Sequence, residues 1–212
     1  MSLNEIYDLK KVICNGESIP IKLPFLKKNT LEEEWQKHEN AHDFFPYWMT
    51  LWNSVFGLKS YLETIQMGPK DKCLEIGCGA GILAQVFPAR QGDWFFSDLI
   101  FESLKFIQKI EVMKPNEKLI CGSWSQRFCQ EFQYIVASDI LYESKFCQEI
   151  ATFVWNTLAV GGQFIIANPE RTGRDDAIDE LLLYWKGKYH VEQIQFELSS
   201  LQVMIEVAIL EK

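Results

Sequence analysis

The stretch Cys73-Leu74-Glu75-Ile76-Gly77-Cys78-Gly79-Ala80-Gly81 constrains this chain more than any other. An apolar strand runs into Glu-x-Gly-x-Gly-x-Gly, and an amphipathic helix, Ile82 to Phe87, begins at once. A second apolar run, Trp94 to Phe96, closes on Asp98. A strand, a glycine turn, a helix and an acid at the tip of the next strand form a nucleoside-binding half-site. The glycines let the backbone approach a ligand closely, and the acid accepts hydrogen bonds from ribose hydroxyls.

Spacing narrows the ligand. A dinucleotide fingerprint, Gly-x-Gly-x-x-Gly, needs glycine where Ile82 stands, and that β-branched side chain argues against a closely packed pyrophosphate. Gly-x-x-x-x-Gly-Lys-Ser/Thr does not occur, which excludes a P-loop. Glu75 to Gly81 resembles motif I of the class I S-adenosylmethionine-dependent methyltransferases.

The 212 residues suit one α/β domain with some decoration, and a hydrophobic fraction of 48% is enough for a buried core. A formal net charge of −8 argues against a protein that coats nucleic acid, since phosphate binding needs a basic face. The six cysteines (Cys14, Cys73, Cys78, Cys121, Cys129 and Cys147) form no Cys-x-x-Cys pair, and several lie in apolar strands. Reduced, buried thiols in a cytoplasmic protein are the expectation. No metal site is expected, because His38, His42 and His190 do not cluster with cysteines. The N-terminus carries Glu5, Asp8, Lys10 and Lys11 without an apolar core, so it does not read as a signal peptide, and no membrane-spanning run is present.

Along the chain, Val12-Ile13 and Ile19 to Leu23 flank Asn15-Gly16 and predict a strand pair. Residues 27–43 are heavily charged, with Thr30 and Glu33 spaced as a capping box for a short helix. Trp48, Leu51, Trp52, Val55 and Leu62 share one helical face and predict a helix over about 47–65. Strands are expected near 72–76, 93–97, 118–121, 133–138 and 163–167, and helices near 80–88, 99–110, 143–158 and 175–187. This alternation implies a parallel sheet with helices on both faces. Val191 to Leu198 and Val203 to Leu210, joined by Ser199-Ser200, read as a C-terminal antiparallel hairpin. The expected fold is therefore an α/β, Rossmann-like, seven-stranded, mostly parallel sheet. Residues 1–43 form an extension and residues 44–212 the methyltransferase-like domain.

Three constellations carry chemistry. Asp98 reads as a ribose acceptor or as a helix cap, with Leu99 then against the adenine. Trp124, after the third strand of the alternation, reads as a stacking face for adenine or as a core residue. Asp139 and Tyr142 follow Tyr134-Ile135-Val136-Ala137-Ser138, a strand apolar enough to be central. Ligands bind beyond the carboxyl ends of such strands. A carboxylate and a phenol there suit an amine acceptor: the amine must be deprotonated to attack, and positioning supplies much of the rate. The alternative is Asp139 as a cap for the following helix and Tyr142 as edge packing.

With these residues in view, the chain resembles the seven-β-strand protein-lysine methyltransferases that carry Asp-x-x-Tyr after the fourth strand. Pro46-Tyr47-Trp48 with Trp52 resembles that family's aromatic segment, Ser97-Asp98 its acidic strand end, and Ser138-Asp139-Ile140-Leu141-Tyr142-Glu143 its signature. Asn168-Pro169-Glu170-Arg171 fits the usual layout after strand five. Asn53 departs from the proline that often follows the second tryptophan. The resemblance implies S-adenosylmethionine as cofactor and S-adenosylhomocysteine as product. It implies cofactor contacts from Trp52, Glu75, Gly77, Cys78, Gly79 and Gly81, joined by Asp98, Leu99, Trp124 and Ser138, with Asp139 and Tyr142 catalytic. The implied acceptor is a lysine of a protein. A small-molecule amine, or a catalytically silent binding module of the same fold, are the competing readings. A nucleic-acid base is disfavoured, because Ile140 and Leu141 stand where Asn/Asp-Pro-Pro-Tyr enzymes place prolines.

Overall fold

The computed structural model describes residues 7–25, 47–169 and 177–212. The charged helix expected within 27–43, His38, His42, Glu170, Arg171 and the start of the helix expected from 175 lie outside them.

The central strands are β3 (Lys72–Ile76), β4 (Asp93–Asp98), β5 (Lys118–Cys121), β6 (Phe132–Ser138) and β7 (Leu158–Pro169). They pair in parallel in the order β7-β6-β3-β4-β5. Their interiors are apolar on both faces, as a strand covered by helices on each side requires. Alternate residues feed two cores. Cys73, Trp94, Phe96 and Val136 face α1 (Ser54–Leu62), α2 (Ile82–Val86) and α3 (Phe101–Lys109). Leu74, Phe95, Ile135 and Phe164 face α4 (Cys147–Thr157) and α5 (Ala177–Leu182). The C-terminal hairpin, β8 (Lys188–Leu198) and β9 (Leu201–Glu211), adds β9 antiparallel to β7. Ser199 and Ser200 turn it with φ of 48° and 68°, the handedness of a two-residue hairpin.

Among the described residues the sheet has nine strands, not the seven expected. The N-terminal pair, β1 (Tyr7–Cys14) and β2 (Glu17–Pro24), turns at Asn15-Gly16 as its sequence implies. It then continues the same sheet beyond β8. The junction is short: Cys14 pairs with Leu198, Asn15 N–H donates to Glu197 O (2.9 Å), and Asn15 Oδ1 accepts from Glu197 N–H (2.9 Å). Gln85 of α2 exchanges two hydrogen bonds with the Lys22 backbone, and Ile21 is fully buried in the first core. Strand-edge hydrogen bonds and packing thus bind the hairpin to the domain.

The single helix expected over 47–65 is also corrected. A 3-10 turn, Tyr47–Met49, is separated from α1 by four non-helical residues. The apolar period survives the break because Trp48 packs on Phe106 while Val55 packs in the core, so burial continues where the helix does not. Among the described residues no helix is long and apolar enough to cross a membrane.

Candidate active site

The strand order reverses at β3: the chain moves outward to β4 and β5, then returns to β6 on the other side. A crevice opens at such a switch point beyond the carboxyl ends of the strands. It holds a cavity of about 590 Å³, in the range of small-molecule sites.

The glycine loop forms its floor. Gly77 (φ 66°) is a close-approach position, since a Cβ there would stand 2.6 Å from Ile140 Cγ2. Gly79 (φ 50°) lies beneath the Trp48 carbonyl, and three contacts fix it. Its N–H donates to Asp98 Oδ2 (2.8 Å), its carbonyl accepts from Ser103 Oγ (2.7 Å), and Trp48 covers it. Gly81 stands apart from the cavity: a Cβ would meet Ile107 Cγ1 at 2.8 Å, so this glycine seats α2 against α3. Cys78 lines the cavity with a buried thiol whose pKa burial pushes well up, so it stays neutral.

Asp98 does not cap α3, whose cap residue is Ile100 without a side-chain bond. Its Oδ1 instead accepts from Ile100 N–H (2.8 Å), so each carboxylate oxygen accepts from the backbone, and Leu99 N–H is a further donor to the carboxylate. A carboxylate has about four acceptor sites, which leaves room for a ligand hydroxyl. Burial raises its pKa, and the backbone donors oppose that rise. Leu99 projects at the rim, 66% exposed, and Trp124 lines the cavity in T-shaped contact with Phe146 (centroids 5.7 Å).

At the far end Asp139 adopts φ 55°, an uncommon conformation for a residue with a Cβ. Its N–H donates to Ala167 O (3.0 Å). That turn takes the chain out of β6, carries Ile140 under Gly77 and sets Asp139 and Ser138 on the cavity wall. Asp139 does not cap α4, whose cap residue is Phe146. Tyr142 stacks on Tyr47 (5.4 Å, 19°), which lies beside Trp52 (6.1 Å), and Trp52 Nε1–H donates to Tyr47 O (3.1 Å). Phe146 meets Tyr142 edge-on, so an aromatic arc runs from Trp52 to Trp124. Burial and the neighbouring Glu143 and Asp98 raise the Tyr142 pKa, so its hydroxyl stays protonated.

Glu75 completes the floor. It is 3% exposed, and its Oε2 has no hydrogen-bond partner. Burial pushes its pKa up to about 8, with Arg90 lowering it and Asp98 raising it. Among the described residues the cavity wall holds four carboxyl groups (Glu75, Asp98, Asp139 and Glu149) and neither lysine nor arginine. Such a wall repels a pyrophosphate and suits a cation. Sequence reasoning singled out neither Ser103, Tyr47, Phe146 nor Glu149 as site residues. Aromatic density around 44–52 was the one available signal, for Tyr47.

No family model and no curated protein matches the chain. Solved structures match in fold. N-methyltransferase NodS from Bradyrhizobium japonicum, in complex with S-adenosyl-L-homocysteine, is 13% identical with a TM-score of 0.59, over 86% of this chain and 97% of that one. Magnesium protoporphyrin IX methyltransferase from Synechocystis, with bound SAM, is 11% identical with a TM-score of 0.59, over 89% and 99%. TrmN from Thermus thermophilus is 13% identical with a TM-score of 0.56, and this chain spans 48% of its length. At these identities the likeness is one of fold.

Proposed function

We propose that the chain is an S-adenosylmethionine-dependent N-methyltransferase acting on the side-chain amine of a protein lysine. The observation that carries this reading is the cavity wall of four carboxyl groups without a lysine or arginine, running from Asp98 to Asp139. A cofactor with a neutral nucleoside at one end and cationic groups at the other fits that wall, and the unpartnered Glu75 Oε2 beside the glycine floor fits it too. The fold-level neighbours solved with SAM or S-adenosylhomocysteine support the same cofactor.

In this reading Asp98 accepts from a ribose hydroxyl, Leu99 and Trp124 flank the adenine, and Gly77 to Gly79 let the amino-acid arm lie against backbone. Glu75 faces the cationic end. Bound there, the cofactor supplies an electrophilic methyl group on a sulfonium. Asp139 attracts and orients the acceptor amine, Tyr142 holds it by hydrogen bond, and the amine's proton leaves through the open mouth. Alignment of donor and acceptor supplies much of the rate. The Asp139-x-x-Tyr142 resemblance supports lysine. Tyr142 is 42% exposed, which leaves the acceptor end open among the described residues and suits a side chain presented by a macromolecule.

The test incubates the protein with methyl-labelled S-adenosylmethionine and a lysate of its source, with Asp139→Ala alongside. Label in a few protein bands, absent with the variant while cofactor affinity stays within a few-fold, is the expected result. Label confined to small molecules would move the acceptor to a metabolite amine. Full activity in Asp139→Ala would refute its role.

A further inference from the structure

Glu75 combines features that a purely structural carboxylate avoids. It is buried in the cavity floor, and one oxygen makes no hydrogen bond. The groups facing it are Asp98 from β4, Arg90 from the turn after α2, and the thiols of Cys73 and Cys78 on its own strand and loop. Asp139 and Glu149 share its cavity. Arg90 brings positive charge but has no hydrogen to give. Its Nε and one terminal nitrogen donate to Glu117 (2.6 and 2.7 Å), and the remaining bonds go to Ala84, Phe87 and Val112 carbonyls. A buried carboxyl beside a second acid, its Oε2 without a hydrogen-bond partner, keeps its proton. Burial accordingly raises it to about 8.

The topology says which part of a ligand reaches it. Asp98 and Trp124 mark the nucleoside end, over β4 and β5. Glu75 pairs in register with Phe96 on that side and with Val136 of β6 on the other, so it lies under the arm that runs from the nucleoside towards Asp139. Resting on the cofactor assignment above, we propose that Glu75 is protonated until the cofactor's α-ammonium docks on it, and that its proton then passes to solvent, so that binding and proton release are one event. The balance is Glu75–CO2H plus ligand–NH3+ giving the Glu75 carboxylate–ammonium pair plus one H+ to the buffer. No bond to carbon changes. The group that partners the carboxylate is the one that both S-adenosylmethionine and its product carry, so each turnover would take up and release the same proton.

The experiment is calorimetric titration of the full chain with S-adenosylhomocysteine at pH 7, in buffers of low and high ionisation enthalpy. A free α-ammonium titrates at about 8, so the ligand enters largely cationic. The dependence of observed heat on buffer enthalpy should report release of nearly one proton. 5′-Methylthioadenosine, which has the nucleoside and no ammonium, should bind with almost none. Glu75→Gln should bind S-adenosylhomocysteine with no buffer dependence. Binding by the wild type that is independent of buffer, equal release with both ligands, or release that persists in Glu75→Gln would each overturn the inference and leave the cofactor assignment standing. Absence of binding by either adenosyl ligand would overturn both. Should Glu75→Gln fail to fold, the two-ligand comparison on the wild type still decides.

Discussion

Two buried glutamates, Glu75 and Glu117, divide the molecule by purpose. Both are nearly inaccessible, at 3% and 8% exposure. Glu117 sits at the amino ends of the strands, where Arg90 grips both its oxygens and Lys114 N–H adds a third bond (2.7 Å). Arg90 also ties three carbonyls and lies over the Phe96 ring (5.5 Å). Each guanidinium nitrogen of Arg90 has an acceptor, so the cluster holds α2, α3 and the approach to β5 in one geometry. Glu75 sits at the carboxyl ends, where Oε2 has nothing. The same side chain at similar burial is satisfied where the fold is secured and left wanting where a ligand is expected. A buried group without a partner lowers stability, and the cavity end is where that cost has a use.

The largest effect should come from the satisfied end. Arg90→Met strands Glu117 as an unpaired buried charge and should cost about 3–5 kcal/mol in denaturant unfolding. Arg90→Met with Glu117→Leu should recover most of that loss, because the penalty lies in the orphaned partner more than in the pair. A single variant as stable as the wild type would erase the contrast between the two ends.

At the unsatisfied end the signature is pH. Glu75 has a folded pKa of about 8 against an ordinary 4.5. Between those values the folded state binds more protons than the unfolded one, so its contribution is fully present below about pH 4.5 and is lost as pH rises through about 8. The loss runs at up to about 1.4 kcal/mol per pH unit. Glu75→Gln, a neutral shape mimic, should remove that slope, so the stability difference between wild type and variant should widen from pH 5 to pH 8 in the variant's favour. Parallel profiles would show that Glu75 is ionised throughout and that the ends differ less than their hydrogen bonds suggest.

The same division explains what the sequence disclosed. The central strands were readable because apolar runs closing on Glu75, Asp98 and Asp139 carry both the strand and its functional tip. Asn15-Gly16 announced a hairpin, but its place in the main sheet rests on pairing between Cys14 and Leu198, far apart in sequence, and no local pattern encodes that. The helix expected over 47–65 failed because apolar spacing records burial without saying against what: Trp48 roofs the glycine loop while Val55 fills the core. Gly81 belonged to the right motif, yet its requirement for glycine comes from Ile107 on a neighbouring helix. Ser103 and Glu149 entered the site through helix placement, so their identities alone gave no signal.

The smallest predicted effect tests whether the contrast extends beyond carboxylates. Trp94 is fully buried, stacks on Phe96 (5.9 Å) and satisfies its indole N–H with Gln91 O (2.7 Å). Trp124 is half-buried on the cavity wall and makes a T-shaped contact with Phe146. Truncating the first removes core volume and lowers stability. Trp124→Ala should instead weaken S-adenosylhomocysteine binding by roughly 1–2 kcal/mol, the worth of an aromatic face against a base. Its unfolding midpoint without ligand should move less than that of the Trp94 variant, because Trp124 is only partly buried at the edge of the second core. Calorimetric affinity and thermal unfolding on one preparation separate the outcomes. A large loss of stability with unchanged affinity would make Trp124 a core residue, and would move the boundary between the satisfied and unsatisfied ends past the tip of β5.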